Sequence, residues 1–122
     1  VLFDEMRVAV VGSRNFPRPD LVREFIQKLA ARDPQVIIVS GGAKGVDSWA
    51  AVAAQEAGLG VVVYPADWAT HGKTAGFLRN TTIVENSDRC VAFWDGRSHG
   101  TQDTVSKFKK AGKPVQVVTV TT

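Results

Sequence analysis

Two stretches decide how this chain folds: Arg7-Val8-Ala9-Val10-Val11-Gly12-Ser13-Arg14 and Val36-Ile37-Ile38-Val39-Ser40-Gly41-Gly42-Ala43-Lys44-Gly45-Val46-Asp47. Each begins as a continuous run of β-branched and other apolar residues and stops abruptly at glycine. A strand with one wet face alternates apolar and polar residues, whereas a strand covered on both faces does not, so both runs read as buried strands of a parallel sheet. A third glycine-bearing turn, Asp95-Gly96-Arg97-Ser98-His99-Gly100-Thr101, follows the apolar run Arg89 to Trp94 in the same way. Ligands of open parallel sheets bind outside the carboxyl ends of the strands. Helix N-termini there offer unpaired N–H groups and a positive dipole end. The three turns together read as one phosphate cradle in three pieces. Each alone is equally well explained as a strand-to-helix turn in which glycine relieves strain.

Outward from these stretches the pattern repeats. Gly60 to Tyr64 is a further apolar run, and Val115 to Val120 alternates, as an edge strand does. Helical stretches separate them. Asp20 to Ala31 follows Pro19, with Asp20 read as its cap and an apolar stripe at Leu21, Phe25, Ile26 and Leu29. Val46 to Ala57 ends at Gly58, Ala75 (or Thr74) to Asn86 precedes the fourth strand, and Thr101 to Ala111 ends before Gly112 and Pro114. Strict strand–helix alternation with short connections predicts an α/β fold: a parallel sheet, helices on both faces and right-handed crossovers.

The 122 residues, 44% hydrophobic and 22% charged, suit one domain with a real core. We expect it to run over residues 6–122, with residues 1–5 a leader or cloning remnant. The lone Cys90 allows neither a disulfide framework nor a cysteine metal site, and His71 and His99 lack the spacing of a metal pair, so no cofactor and no metal are expected. A reducing, cytoplasmic setting fits, and no apolar run reaches the ~20 residues of a membrane span. The net charge of +3 favours an anionic partner. The basic residues are dispersed, a distribution that fits a nucleotide as well as a nucleic acid.

Individual residues sharpen this reading. Arg14, directly after a strand-ending glycine, offers a planar fork of donors to a phosphate; the alternative is a surface pair with Asp20 or Glu24. Ser13 is either a second phosphate donor or a turn cap. Gly41, Gly42 and Gly45 admit close backbone approach, and Lys44 adds a cation beside a helix start. This is not a Walker A loop, because the lysine precedes the last glycine and no Ser or Thr follows it. Asp47 in the first helical turn either complements the helix dipole or contacts the ligand and loop. Pro65 to Arg79 is polar and glycine-punctuated, as a rim or lid would be. Trp68 and Trp94 are candidates for base stacking or for packing.

Four ordered motifs resemble the SLOG superfamily, which groups the Lonely Guy phosphoribohydrolases with the DNA-processing protein A fold, and within it the small YspA-like proteins of unknown function. The motifs are Val11-Gly12-Ser13-Arg14, Gly41 through Asp47, the stretch from Pro65-Ala66-Asp67-Trp68 to Arg79-Asn80, and Gly100-Thr101 with Asp103. The resemblance implies a Rossmann-like three-layer sandwich with strand order 3-2-1-4-5 and homo-oligomers. It implies a ligand-facing Arg79 with Asn80, and a role for Asp47 at a ribose hydroxyl or in fixing its loop. The chain departs from the Lonely Guy pattern where that pattern has its catalytic glutamate: the position holds Thr104, and the nearest carboxylate, Asp103, lies one residue earlier, ~100° away around the helix.

Three functions follow as expectations. The first is a sensor or sequestering protein that binds a nucleotide or nucleotide-derived ligand through Gly12, Ser13, Arg14, Gly41, Gly42, Lys44, Gly45, Asp47, Arg79, Asn80, Gly100 and Thr101. The second is a hydrolase of the N-glycosidic bond of a nucleoside monophosphate, with Arg79 and Asp103 as its catalytic candidates, since that reaction needs a carboxylate to activate water. The third is weak single-stranded DNA binding, for which the chain lacks a clustered basic and aromatic tract.

Overall fold

The computed structural model describes residues 6–120; the expected leader at 1–5 and the last two residues lie outside them. Five strands, β1 (Arg7–Gly12), β2 (Ile37–Ser40), β3 (Gly60–Val63), β4 (Arg89–Phe93) and β5 (Val115–Val118), form a parallel sheet in the order β3-β2-β1-β4-β5. Five helices accompany them: α1 (Pro19–Arg32), α2 (Val46–Glu56), α3 (Trp68–His71), α4 (Ala75–Glu85) and α5 (His99–Lys110), with a 3-10 turn at Gly72–Thr74. The alternating run at Val115 is an edge strand, as its pattern predicts, whereas the continuous apolar run at Gly60, which reads as a buried strand, is the opposite edge, with Val63 exposed. The chain reverses direction of growth at β1, which pairs with β2 on one side and β4 on the other.

The sheet divides the core by strand parity. Val8, Val10, Ile38, Val91 and Phe93 face α1 and α2, where they pack with Val22, Ile26 and Ala50. Ala9, Val11, Val39, Cys90 and Ala92 face the other way, with Ile83 of α4 and Phe108 of α5. Both faces of β1 and β4 are thus apolar, which is why neither run alternates. Phe93 sits edge-on to Phe16 and Phe25 at centroid distances of 5.5 and 5.9 Å, a favoured aromatic arrangement.

Two helix starts differ from the sequence expectation. Asp20 does not cap α1; the cap position is Arg18, Pro19 opens the helix, and the Asp20 carboxylate pairs with the Arg18 guanidinium at 2.6 Å. Proline at the first helical position needs no cap for the N–H it lacks. α5 begins at His99, two residues early, because Ser98 accepts the Thr101 N–H at 3.3 Å. The rim segment contains α3, whose start is held by the Asp67 side chain accepting from the Thr70 N–H at 3.1 Å.

Close approach fixes Gly12. A Cβ on Gly12 would lie 2.3 Å from the Phe93 carbonyl oxygen and 2.8 Å from Val46, both immobile, whereas a Cβ on Gly60 would meet only Ile37 at 3.4 Å. Gly12→Ala is therefore expected to lower the urea-unfolding free energy by about 1–3 kcal/mol or more. Gly60→Ala should change it by no more than about 0.5 kcal/mol.

Candidate functional site

The three turns meet at the carboxyl end of β1. The first and second interlock through Gly45, which at φ +87° is in the left-handed region; a Cβ there would fall 2.6 Å from the backbone of Arg14. The Gly12 N–H donates to Asp47 Oδ1 at 3.1 Å, and the Ser40 hydroxyl donates to the Asp47 carbonyl at 3.0 Å while accepting the Gly42 N–H at 3.1 Å. Ser13 ties in the third turn: its hydroxyl accepts the Asp95 N–H at 3.0 Å, and its own N–H donates to the Phe93 carbonyl. The Asp95 carboxylate then accepts the N–H groups of Arg97 and Ser98 at 2.8 and 2.9 Å, which shapes the entry to α5.

α4 closes the circle. Arg79 donates from Nη1 to the Gly41 carbonyl at 2.6 Å and from Nε to the Asn80 side-chain oxygen at 3.0 Å. Asn80, almost wholly buried, donates in turn to the Gly100 carbonyl at 3.2 Å and to Asp103 at 3.1 Å. One helix thus fastens the second turn to the third.

Between these pieces lies a cavity of about 450 Å³, within the size range of small-molecule sites. Of the residues expected to bind ligand, Gly12, Arg14, Gly42, Lys44, Asp47, Arg79, Asn80, Gly100 and Thr101 line it. Ser13, Gly41 and Gly45 do not. They stand behind the wall and bring the turns together: Ser13 and Gly41 are buried, and Gly45 is packed on Arg14. Arg14 is exposed and lines the cavity, and Asp20, its alternative partner, is taken by Arg18. The catalytic candidate Asp103 is not in the lining; its carboxylate accepts from Asn80 and pairs with Lys107 at 2.8 Å. Thr104 does line the cavity, and its hydroxyl donates to the Gly100 carbonyl.

Val11, Ala43, Trp68, Ser98 and Thr104 also line the cavity, outside the set expected to bind ligand. Ser98 was missed, although a serine three residues before Thr101 at the end of a turn is a capping signal. Trp68 lines the cavity with its side chain 60% exposed, an apolar surface presented to solvent at the rim. Trp94 takes the packing alternative, its indole N–H donating to the Ser98 carbonyl at 3.1 Å. His71 and His99 are not in the lining.

Asp47 is, among the described residues, the one carboxylate lining the cavity, and it is 4% exposed. Burial pushes its carboxyl up to about 6, against the opposing pull of the Arg79 guanidinium and of the backbone N–H groups of Gly12, Ala43 and Gly41. Asp47 and Arg79 converge on Gly41, where a Cβ would sit 2.7 Å from Asp47 Oδ2 and 2.6 Å from Arg79 Nη1. A bare backbone at residue 41 is what lets both side chains in.

Residues 6–71 match the sequence model of YAcAr, the YspA, cpYpsA-related SLOG family. The chain is 39% identical over 117 residues to the Gene 61 protein of Mycobacterium phage D29, covering 89% of this chain and 93% of that one. Its fold superposes on DNA processing protein A from Streptococcus pneumoniae with a TM-score of 0.81 at 23% identity, covering 96% of this chain and 51% of the other. It superposes on DNA processing protein A from Helicobacter pylori, a protein with a described single-stranded DNA binding mode, with a TM-score of 0.71 at 24% identity, covering 92% and 64%. The chain therefore spans about half to two thirds of the solved structures it matches.

The raised Asp47 carboxyl has a consequence for stability. Its folded value of about 6 lies above the ordinary 3.8, so the folded state holds the proton more tightly and its stability falls as pH rises through that interval. Unfolding measured between about pH 4 and pH 7 should show a loss of about 3 kcal/mol assignable to this group, reduced to near zero in Asp47→Asn.

Proposed function

We propose that this chain, which belongs to the YspA, cpYpsA-related SLOG family, binds a nucleotide or nucleotide-derived ligand in the crevice at the carboxyl end of its sheet. The observation that carries this reading is the convergence of Arg14, Lys44 and the α5 N-terminus on one 450 Å³ cavity that has an exposed indole at its rim. Phosphate oxygens are matched by the Arg14 fork, the Lys44 ammonium and those N–H groups at the start of α5 that the turn itself leaves unused. The sugar lies between these groups and Trp68. The base stacks on Trp68, a contact open to any base because every base has an aromatic face.

Hydrolysis of an N-glycosidic bond is less well supported. Asp103 is engaged by Asn80 and Lys107, and Thr104 stands where the Lonely Guy pattern has glutamate. Asp47, although it lines the cavity, has its carboxylate turned to Gly12 in a fixed hydrogen bond. Single-stranded DNA is the second reading. The described DNA binding of the Helicobacter pylori protein that shares this fold and the exposed Trp68 favour it. The dispersed charge makes any such binding weak and salt-sensitive.

Calorimetric titration separates these readings. Nucleoside monophosphates should bind at one saturable site. Arg14→Gln should weaken them by about tenfold to a hundredfold, the cost of losing a charge-assisted hydrogen bond. Trp68→Ala should weaken monophosphates and unphosphorylated nucleosides alike. Equal monophosphate affinity in wild type and both variants would refute the crevice. Absence of mononucleotide binding together with oligonucleotide binding that falls steeply with salt would promote the DNA reading, and release of free base abolished by Asp103→Asn would promote the hydrolase.

A further inference from the structure

A second cavity of about 450 Å³ lies at the amino ends of the strands, the far end of the sheet from the crevice. α1 leans on α2, and a gap opens between its last two turns, the start of β1 and β4, and Gln116 of β5. α1 contributes Phe25, Lys28, Leu29 and Arg32 at positions i, i+3, i+4 and i+7, which is one stripe of a helix. Two members of that stripe are apolar and two are cationic. Val8 supplies an apolar floor, and Arg89 stands beside it, in register across the β1–β4 pair.

The charges are unbalanced. Among the described residues, Lys28, Arg32 and Arg89 line the cavity against a single carboxylate, Asp33, which already accepts the Gln35 N–H at 3.2 Å. Arg89 also carries a donor without an acceptor: its Nε is buried and has no hydrogen-bond partner among the described residues. Buried polar groups in folded proteins are rarely left so, and each calls for an explanation. The rest of the guanidinium faces the cavity, and its planar fork of donors pairs with two-oxygen acceptors in parallel hydrogen bonds.

We propose that this cavity is a binding site for a small amphipathic carboxylate. The head group pairs with Arg89, and Lys28 and Arg32 at the rim add attraction. An aliphatic or aromatic body lies against Phe25, Leu29 and Val8. Apolar walls with a few placed polar groups are the general make-up of small-molecule sites, and the volume suits such a ligand. The site is separate from the nucleotide crevice and does not rest on that reading.

Octanoate is the probe, titrated calorimetrically into the full chain, with octanol and inorganic phosphate in parallel. One saturable octanoate site is expected, with weaker binding of octanol and no competition from phosphate at equal concentration. Arg89→Met should weaken octanoate by about tenfold to a hundredfold, as the loss of a charge-assisted hydrogen bond does. Lys28→Gln should weaken it less, and Lys109→Gln, a charge change on the distant α5, should leave it unchanged. If Arg89→Met does not fold, Arg89→Lys keeps the charge and removes the planar fork, and the same loss is expected. Absence of a saturable site, undiminished affinity in the folded Arg89 variant, or a loss in Lys109→Gln as large as in that variant would overturn the assignment.

Discussion

The carboxyl end of β1 has to serve two crossovers at once, and two residues meet that demand. Gly12 and Ser13 lie between β2 and β4, where the sheet changes its direction of growth. Through them the chain makes a hydrogen bond to Asp47 of the second turn, another to Phe93 and a third with Asp95 of the third turn. Neither residue tolerates a larger neighbour: Gly12 is wedged between Phe93 and Val46, and Ser13 is fully buried. The cavity is then the space left over when two helix starts are pinned to one strand end, and its width is set by these ties. Cavity-lining groups such as Arg14 and Lys44 are comparatively free, because the scaffold that aims them is complete without them.

Much of this architecture was readable from the residues because both faces of the central strands are covered, so uninterrupted apolar runs identify β1, β2 and β4 by themselves. The strand order came from the motifs and not from any local pattern, since pairing between β1 and β4 leaves no trace in periodicity. At the site, the sequence picked the residues of the turns but could not sort wall from support. Ser13 and Arg14 are adjacent and both polar, yet one hydroxyl is spent on Asp95 while the guanidinium faces the cavity. Asp103 is a catalytic candidate in the sequence as the carboxylate nearest the glutamate position, and its partners, from α4 and from one helical turn onward, are not visible there. Short α3 escaped notice because four residues contain too little repeat to show a period.

The electrostatics of the crevice are those of a cationic pocket with one costly exception. Asp47 is held in a desolvated position in which its charge is disfavoured, and the Arg79 guanidinium offsets part of that penalty. Removing either partner of such an arrangement leaves the other exposed to the full cost of burial. The Arg79 contacts run to the Gly41 carbonyl and to Asn80, so an anionic ligand of the kind proposed would draw on Arg14 and Lys44 without competing for them.

The pairing of β1 with β4 has a consequence for how the protein is made. Arg7 donates its N–H to Asp88 across a sequence separation of 81 residues, so one edge of the central strand has no partner until most of the chain has left the ribosome. At translation rates of about 5–20 residues per second, that edge stays open for on the order of ten seconds. The first three strands can assemble in that interval, but they present Val8 to Val11 as an apolar, unpaired border, the kind of template on which nascent chains stick to one another. Slow synthesis between α2 and β4 is then expected to lengthen the exposure of that border, a hazard that no property of the finished fold reveals.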